Sequence, residues 1–165
     1  VPAWVVGSLT HSALRHWLFP DDDDFANFLK PFALEAGLTD PTSIQTALGR
    51  VGRLLTRFQS HPLYAEISAA ERHHEVPYST ILDGQPRNGL IDLLYRPASE
   101  ADWTIAEFKT DRLPETADLA AHVGRQGYDR QVRDYAQAIT QQMGVSPRVL
   151  LVFLNVGGAV RVVTG

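Results

Sequence analysis

Two apolar segments separated by a short break carry charged residues where buried strands are expected. Asp92 lies in the first segment, Gly-Leu-Ile-Asp-Leu-Leu-Tyr, and Glu107 and Lys109 lie in the second, Trp-Thr-Ile-Ala-Glu-Phe-Lys-Thr. The break contains residues that are typical of turns: Pro97, Ser99 and Asp102. The pattern therefore predicts two paired strands that bring an aspartate close to a glutamate and a lysine.

The alternation of side chains in a strand fixes which of these residues share a face. Glu107 and Lys109 point to one face, and Phe108 between them points to the other. A polar group buried without a partner costs about 2 to 7 kcal/mol, so these charges need compensation. A cation of the magnesium type, bound by Asp92 and Glu107, would provide it, because such ions prefer carboxylate oxygens together with water and substrate phosphate. Lys109 would then lie near the attacking water or the scissile phosphate.

The string Gly89-x-x-Asp92 followed by Glu107-x-Lys109 resembles the PD-(D/E)XK nuclease motif. In particular it resembles the RecB-type nuclease domain at the C-terminal end of bacterial recombination helicases of the AddA and UvrD-like kind. The resemblance implies an α/β, restriction-endonuclease-like fold with a mixed β-sheet flanked by helices. It also implies a deoxyribonuclease that uses one or two Mg²⁺ or Mn²⁺ ions. Exonucleolytic action is expected when a helicase supplies the DNA.

Three further strings resemble the same family. Gly7-x-x-x-His11 supplies a metal-ligating histidine in relatives, so the implied ligands are His11, Asp92, Glu107 and the backbone carbonyl of Phe108. Gln131-x-x-x-Tyr135 is associated with the active site and would steady Lys109 or the DNA backbone. Glu75-Val76-Pro77-Tyr78 resembles a string whose acid lies near the site. Each string also has a purely structural interpretation. His11 would be a hydrogen-bonded core histidine, Gln131 and Tyr135 would be residues at the edge of the core, and Glu75 would be a glutamate at a strand edge.

Arginines recur along one face of the helix that is predicted to begin after Asp40-Pro41. Arg50, Arg53 and Arg57 are spaced at i, i+3 and i+7, which places them on a common ridge. This ridge would contact DNA phosphates, or it is a solvated face with local salt bridges. The sequence favours neither interpretation.

Composition limits the remaining possibilities. The 165 residues carry a net charge of −4, which is the wrong sign for a protein that coats nucleic acid indiscriminately. Cysteine is absent, which excludes disulfides, thiolate metal sites and the iron-sulfur cluster of some RecB-type nucleases. No apolar run of about 18 residues exists, so no membrane partner is expected. A cytoplasmic, bacterial location is expected.

The domain organisation is expected to be simple. Residues 1–165 are predicted to form a single nuclease domain excised from a larger helicase-nuclease, because the chain begins at Val1 and stops directly after a strand pattern. The expected partners are DNA, covalently linked helicase domains and a second helicase-nuclease subunit. Two alternatives are a catalytically inactive nuclease fold that binds DNA or protein, and a structural domain with a buried ion-pair network.

Apolar periodicity predicts the other elements. The predicted helices are Trp4 to Phe19, Phe25 to Leu38, one beginning after Asp40 and one from about Arg125 to Met143. The predicted strands are Glu71 to Thr80, Arg148 to Asn155 and Ala159 to Val163, with Gly84 and Gly157-Gly158 in turns. The acidic run Asp21 to Asp24 is interpreted as helix capping or plain solvation.

Overall fold

The computed structural model describes residues 1–99 and 102–165. Residues 100 and 101, which belong to the predicted turn after Pro97, lie outside the described residues. The elements in chain order are α1 (Ala3–Arg15), α2 (Phe25–Glu35), α3 (Pro41–Gln59), α4 (Pro62–Ser68), β1 (Glu71–Leu82), β2 (Gln85–Arg96), β3 (Thr104–Lys109), α5 (Leu119–Gln126), α6 (Tyr128–Met143), β4 (Arg148–Val156) and β5 (Ala159–Thr164).

The five strands form one mixed sheet in the order β1-β2-β3-β4-β5. β1 to β3 are antiparallel neighbours, β3 and β4 are parallel, and β4 and β5 are antiparallel. A parallel pair needs a crossover connection, and α5 and α6 supply it between β3 and β4. The predicted fold class, an α/β fold with a mixed sheet flanked by helices, is confirmed.

Helices cover both faces of this sheet. The helices α1 to α4 pack on one face, where the rings of Phe58 and Phe108 meet edge to face at 5.4 Å. The helices α5 and α6 pack on the other, where Ile139 belongs to the same buried cluster as Ile105 and Phe153. The nearly continuous apolar run of β4 follows from this arrangement, because a strand buried on both faces has no polar side.

The start of α3 confirms its sequence signal. The Asp40 carboxylate accepts a hydrogen bond from the backbone N–H of Ser43 at 2.8 Å, and Pro41 occupies the first helical position. Proline has no backbone N–H, but this costs no hydrogen bond at the first helical position, because the first N–H groups of a helix have no acceptor within it. The cap therefore sets the register of the helix that carries the arginine ridge.

Several details differ from the sequence prediction. The helix α1 ends at Arg15 and not at Phe19. Gly127, with φ +73°, interrupts the helix predicted from Arg125 to Met143 near its start, because a left-handed residue cannot continue a helix. The helix α6 therefore begins at Tyr128, and most of α5 was not predicted. The short helix α4 was not predicted. The acidic run is exposed, as expected of solvated residues, but it does not cap α2: the Asp22 carboxylate accepts from the N–H of Phe19 instead.

No helix within residues 1–99 and 102–165 has the length and apolar character that a membrane span requires.

Candidate active site

The site begins where β2 and β3 separate. Residues 93–95 of β2 pair with residues 104–106 of β3. The next residues, Asp92 on β2 and Glu107 on β3, are not paired with each other. The side chain of Asp92 fills the opening, and its Oδ2 accepts from the backbone N–H of Phe108 at 2.9 Å. Glu107 Oε2 lies 3.5 Å from the backbone nitrogen of Asp92. Both carboxylates therefore lie at the fork between the two strands, as the hairpin prediction required.

The helix α1 brings His11 to the same fork. His11 Nδ1 lies 3.3 Å from Asp92 Oδ1, and 35% of the imidazole side chain is exposed. Gly7, one turn earlier, makes this approach possible, because a Cβ at that position would lie 3.0 Å from Thr110 Oγ1. Burial lowers the pKa of His11, but the hydrogen bond and charge of Asp92 outweigh burial, so the pKa is raised overall.

Glu107 is the most buried charged group of the site, with 5% of its side chain exposed. Burial, together with the nearby charge of Asp92, raises the pKa of its carboxyl to about 7 against the opposing charge of Lys109. Ionisation of a carboxyl in this environment costs free energy. Additional positive charge at the fork would lower that free energy.

A ring of polar contacts holds Lys109 beside Glu107. Lys109 Nζ lies 3.5 Å from Glu107 Oε1 and donates to Gln131 Oε1 at 2.8 Å. Gln131 Nε2 donates to the Tyr135 hydroxyl at 2.8 Å, and that hydroxyl lies 3.4 Å from Glu107 Oε1. Burial, followed by the charge of Glu107, raises the pKa of Tyr135, so its hydroxyl keeps its proton. The structure thus brings Glu107, Gln131 and Tyr135 together around the lysine, where the sequence placed them.

Tyr128 is a site residue that the sequence analysis did not select. Lys109 Nζ lies 3.9 Å from the centre of the Tyr128 ring, within the range of a cation–π contact. The Tyr128 hydroxyl donates to Asp111 Oδ2 at 2.8 Å, and His122 Nε2 lies 3.3 Å from the same oxygen. A signal was present, because Tyr128 precedes Gln131 by three residues and so occupies the same face of α6.

Glu75 lies opposite Asp92 in an unusual conformation. The residues on either side of it, His74 and Val76, pair with β2, whereas Glu75 itself does not pair and has φ +50°. A non-glycine residue in this region costs about 1 to 3 kcal/mol, and such strain is typical of functional sites. Glu75, His11 and Asp92 line one small cleft, so the acid lies near the site as the resemblance implied.

Gly89, the first residue of the Gly-x-x-Asp string, has a packing role. It is the cross-strand partner of Tyr78, and a Cβ on it would lie 2.7 Å from the Tyr78 ring. The ring therefore lies flat over the strand and meets the Tyr135 ring edge to face at 5.1 Å. This contact links β1 and β2 to the polar ring around Lys109.

The donor chemistry at the fork fits a hard divalent cation. His11, Asp92 and Glu107 carry two carboxylates and an imidazole, and such a cation would offset the repulsion between the buried acids. However, within residues 1–99 and 102–165 no three His, Cys, Asp or Glu side chains are arranged as a preformed metal cluster. His11 approaches Asp92 Oδ1, whereas Glu107 Oε1 faces Lys109 and Tyr135. The ligand roles of these residues and of the Phe108 carbonyl remain predictions.

Comparison with solved structures finds the same fold in a protein from Eubacterium rectale named "Putative exonuclease". The TM-score is 0.69, the identity is 15%, and the match covers 99% of this chain and 58% of that chain. Protein VC1899 from Vibrio cholerae matches with a TM-score of 0.35 and 14% identity, over 93% of this chain and 42% of that chain, which carries no argument about fold. Comparisons with models of protein families and with curated protein sequences give no match. At such low identity the first structure shows the fold alone, and this chain spans little more than half its length.

Proposed function

We propose that this protein is a metal-dependent DNA nuclease that hydrolyses phosphodiester bonds. The observation that carries the proposal is the placement of Lys109, which is held beside Glu107 by Gln131 at the fork that also contains Asp92. A lysine fixed next to two carboxylates can face a phosphate while the carboxylates bind a cation. The resemblance to PD-(D/E)XK nucleases supports the same reaction.

Each side chain has a role in this proposal. Asp92, Glu107, His11 and the Phe108 carbonyl would hold Mg²⁺ or Mn²⁺, which when bound supplies Lewis-acid activation of the phosphate and a more acidic water. Lys109 stabilises the negative charge that develops as water attacks, a kind of contribution worth about 10² to 10³ in rate. Gln131 Oε1 accepts a hydrogen bond from the Lys109 ammonium group and thereby orients the lysine, and Tyr135 orients Gln131.

The wider context is also a proposal. The resemblance to RecB-type domains supports a role as the exonuclease module of a DNA repair or recombination helicase, with linked helicase domains and a second helicase-nuclease subunit as partners. Action in the bacterial cytoplasm would follow from that role. This chain has glutamate at position 107, where relatives often have aspartate before x-Lys. The family motif accepts both residues, so we expect a different metal geometry from those relatives and not a loss of activity.

A structural ion-pair network is the second candidate. Its support is the raised pKa of His11, because a protonated His11 and Lys109 together would balance the charges of Asp92 and Glu107 without a metal. In that case the site would have no catalytic role. The two candidates differ in whether a metal ion binds and whether DNA is cut.

The deciding experiment compares the native protein with Asp92→Asn on end-labelled single-stranded and duplex DNA, with Mg²⁺, Mn²⁺ or EDTA. Asp83→Asn is the matched control, since Asp83 lies in the β1–β2 turn and its φ of +52° is tolerated by asparagine. Cleavage that needs metal and is lost only in Asp92→Asn supports the nuclease. If no metal supports cutting, Mn²⁺ titration by calorimetry follows, and an absence of binding would favour the ion-pair network.

A further inference from the structure

A cleft of about 800 Å³ lies beside the site, on the face of the sheet that is covered by α1 to α4. Four arginines from two segments line it: Arg50, Arg53, Arg57 and Arg112. We name it the arginine cleft. The three on α3 form the ridge that the sequence indicated, and Arg112 reaches the cleft from the loop that follows β3. The tertiary structure therefore converts a ridge into a concave basic surface.

The charge of the arginine cleft is not neutralised by the protein. No Asp or Glu side chain lines it, and among the described residues none of the four arginines takes part in an ion pair. Arg50 donates to the carbonyl of Val1 at 3.1 Å and Arg57 donates to Asn155 at 3.0 Å, so both have neutral partners. Local salt bridges, the alternative that the sequence left open, therefore do not account for this surface. A concentration of positive charge on a chain of net charge −4 fits an anionic ligand.

The position of the cleft connects it to the proposed catalytic fork. Thr110 lines the cleft and directly follows Lys109 in the chain. The helix α1 contributes Val6 to the cleft and His11 to the fork, and five residues of helix span about 7.5 Å. The arginine cleft and the fork are therefore neighbouring sites along α1.

The size and lining of the cleft indicate which polymer it takes. Its volume of about 800 Å³ is in the range of pockets that enclose small ligands, about 300 to 1,000 Å³. A volume of this size suits a short stretch of one strand and not a base-paired duplex. Among the residues that the structure describes, no aromatic side chain lines the cleft, so it offers no platform for base stacking. The arginines are suited to phosphate oxygens, which carry no sequence information.

We propose that the arginine cleft binds the phosphate backbone of single-stranded DNA next to the cleavage site, independently of base sequence. The proposal rests on the nuclease function and deepens it, by assigning the strand that leads to the fork. The three ridge arginines extend over about 10 Å along α3, so they would contact successive phosphates. Arg112 would contact the strand nearest the fork, because it lies three residues after Lys109.

The test measures binding of fluorescein-labelled dT20 by anisotropy in EDTA, where no metal-dependent cleavage occurs. The variant is Arg53→Gln/Arg112→Gln, because both side chains are exposed and neither donates a side-chain hydrogen bond within the described residues. Each contact with a phosphate of single-stranded DNA contributes about 0.7 to the steepness of the plot of log binding constant against log salt concentration. The loss of two contacts should therefore reduce that steepness by about 1.4. At 50 mM salt the affinity should fall on the order of tenfold to a hundredfold.

Arg133→Gln is the control, since Arg133 is exposed on α6 against the opposite face of the sheet. It should bind dT20 like the native protein, and a mixed-sequence strand should behave like dT20 in all three proteins. Thermal melting checks that the variants fold. Native affinity and salt slope in the double variant would overturn the inference, as would an equal loss in Arg133→Gln or no binding of dT20 by the native protein at low salt.

The two proposals can fail separately. The binding assay contains no metal and follows no chemistry, so its result does not depend on whether the fork cuts DNA. If the double variant binds normally while Asp92→Asn abolishes metal-dependent cleavage, the cleft assignment is wrong and the nuclease stands. If Asp92→Asn still cuts at the native rate, the proposed mechanism is wrong whatever the cleft binds.

Discussion

Lys109 and Tyr128 form the tightest cation–aromatic contact at the site, with the ammonium nitrogen 3.9 Å from the ring centre. Gln131, one turn further along α6, accepts from the same ammonium at 2.8 Å. One helix therefore fixes the lysine from two sides. Because the lysine has a flexible four-carbon stem, this support decides where its charge lies.

Tyr128→Leu should lower the DNA cleavage rate about 2- to 30-fold, because a cation–π contact is worth about 0.5 to 2 kcal/mol. Tyr128→Phe keeps the ring and loses only the hydroxyl contact to Asp111, so it should retain most of the activity. Single-turnover cleavage of a labelled strand is the measurement. Equal losses in both variants would show that the hydroxyl matters and the ring face does not.

Lys109→Ala should reduce cleavage about 10² to 10³-fold while the protein still folds. If the site is instead an ion-pair network, the main effect should be a loss of about 3 to 5 kcal/mol in the free energy of unfolding. Urea denaturation and cleavage assays on the same preparation separate these results. Lys30→Ala, at an exposed position of α2, serves as the control. Native cleavage by Lys109→Ala would exclude the proposed role.

Glu107→Gln should stabilise the metal-free protein at pH 8. Burial and the charge of Asp92 raise the pKa of Glu107 to about 7, so keeping it ionised at this pH opposes folding. A pKa unit corresponds to about 1.4 kcal/mol, and we expect a gain of about 1 to 3 kcal/mol. Urea denaturation in EDTA measures it, with the exposed Glu115→Gln as the control. A less stable Glu107→Gln would mean that the lysine and histidine compensate the charge fully.

His74 should make the stability of the protein fall as pH decreases from about 6.5 toward 4. Burial, with the charges of Arg72 and His16 adding to it, lowers the pKa of His74 to about 4. In that window the unfolded chain binds the proton and the folded chain does not, so acid favours unfolding. As pH falls from 7 to 4.5, the denaturation midpoint of the native protein should fall relative to that of His74→Asn. Parallel curves would contradict the assignment to His74.

Local patterns in the sequence were enough for most of the elements and for the two faces of β3. The alternation around Phe108 placed Glu107 and Lys109 on one side of β3, because successive side chains of a strand point to opposite faces. The Asp40-Pro41 signal placed the start of α3, since capping depends only on neighbouring residues. Gly127 was missed because apolar periodicity does not report backbone conformation, and the left-handed φ of Gly127 separates α5 from α6.

The distances that define the site were not available from those patterns. The contact between Lys109 and Gln131 joins residues that are 22 positions apart, and the contact between Arg57 and Asn155 joins residues 98 positions apart. Both depend on how helices pack on the sheet, which no local periodicity reports.

The sequence by itself determined which residues are candidates for chemistry and that Glu107 and Lys109 share one face of their strand. Only the tertiary structure decided that β2 and β3 separate at Asp92, that Tyr128 covers the lysine, and that a ridge of arginines is one wall of a cleft. The physical reason is that backbone geometry orients neighbouring side chains, whereas burial of apolar surface between distant segments sets the separations on which binding and catalysis depend.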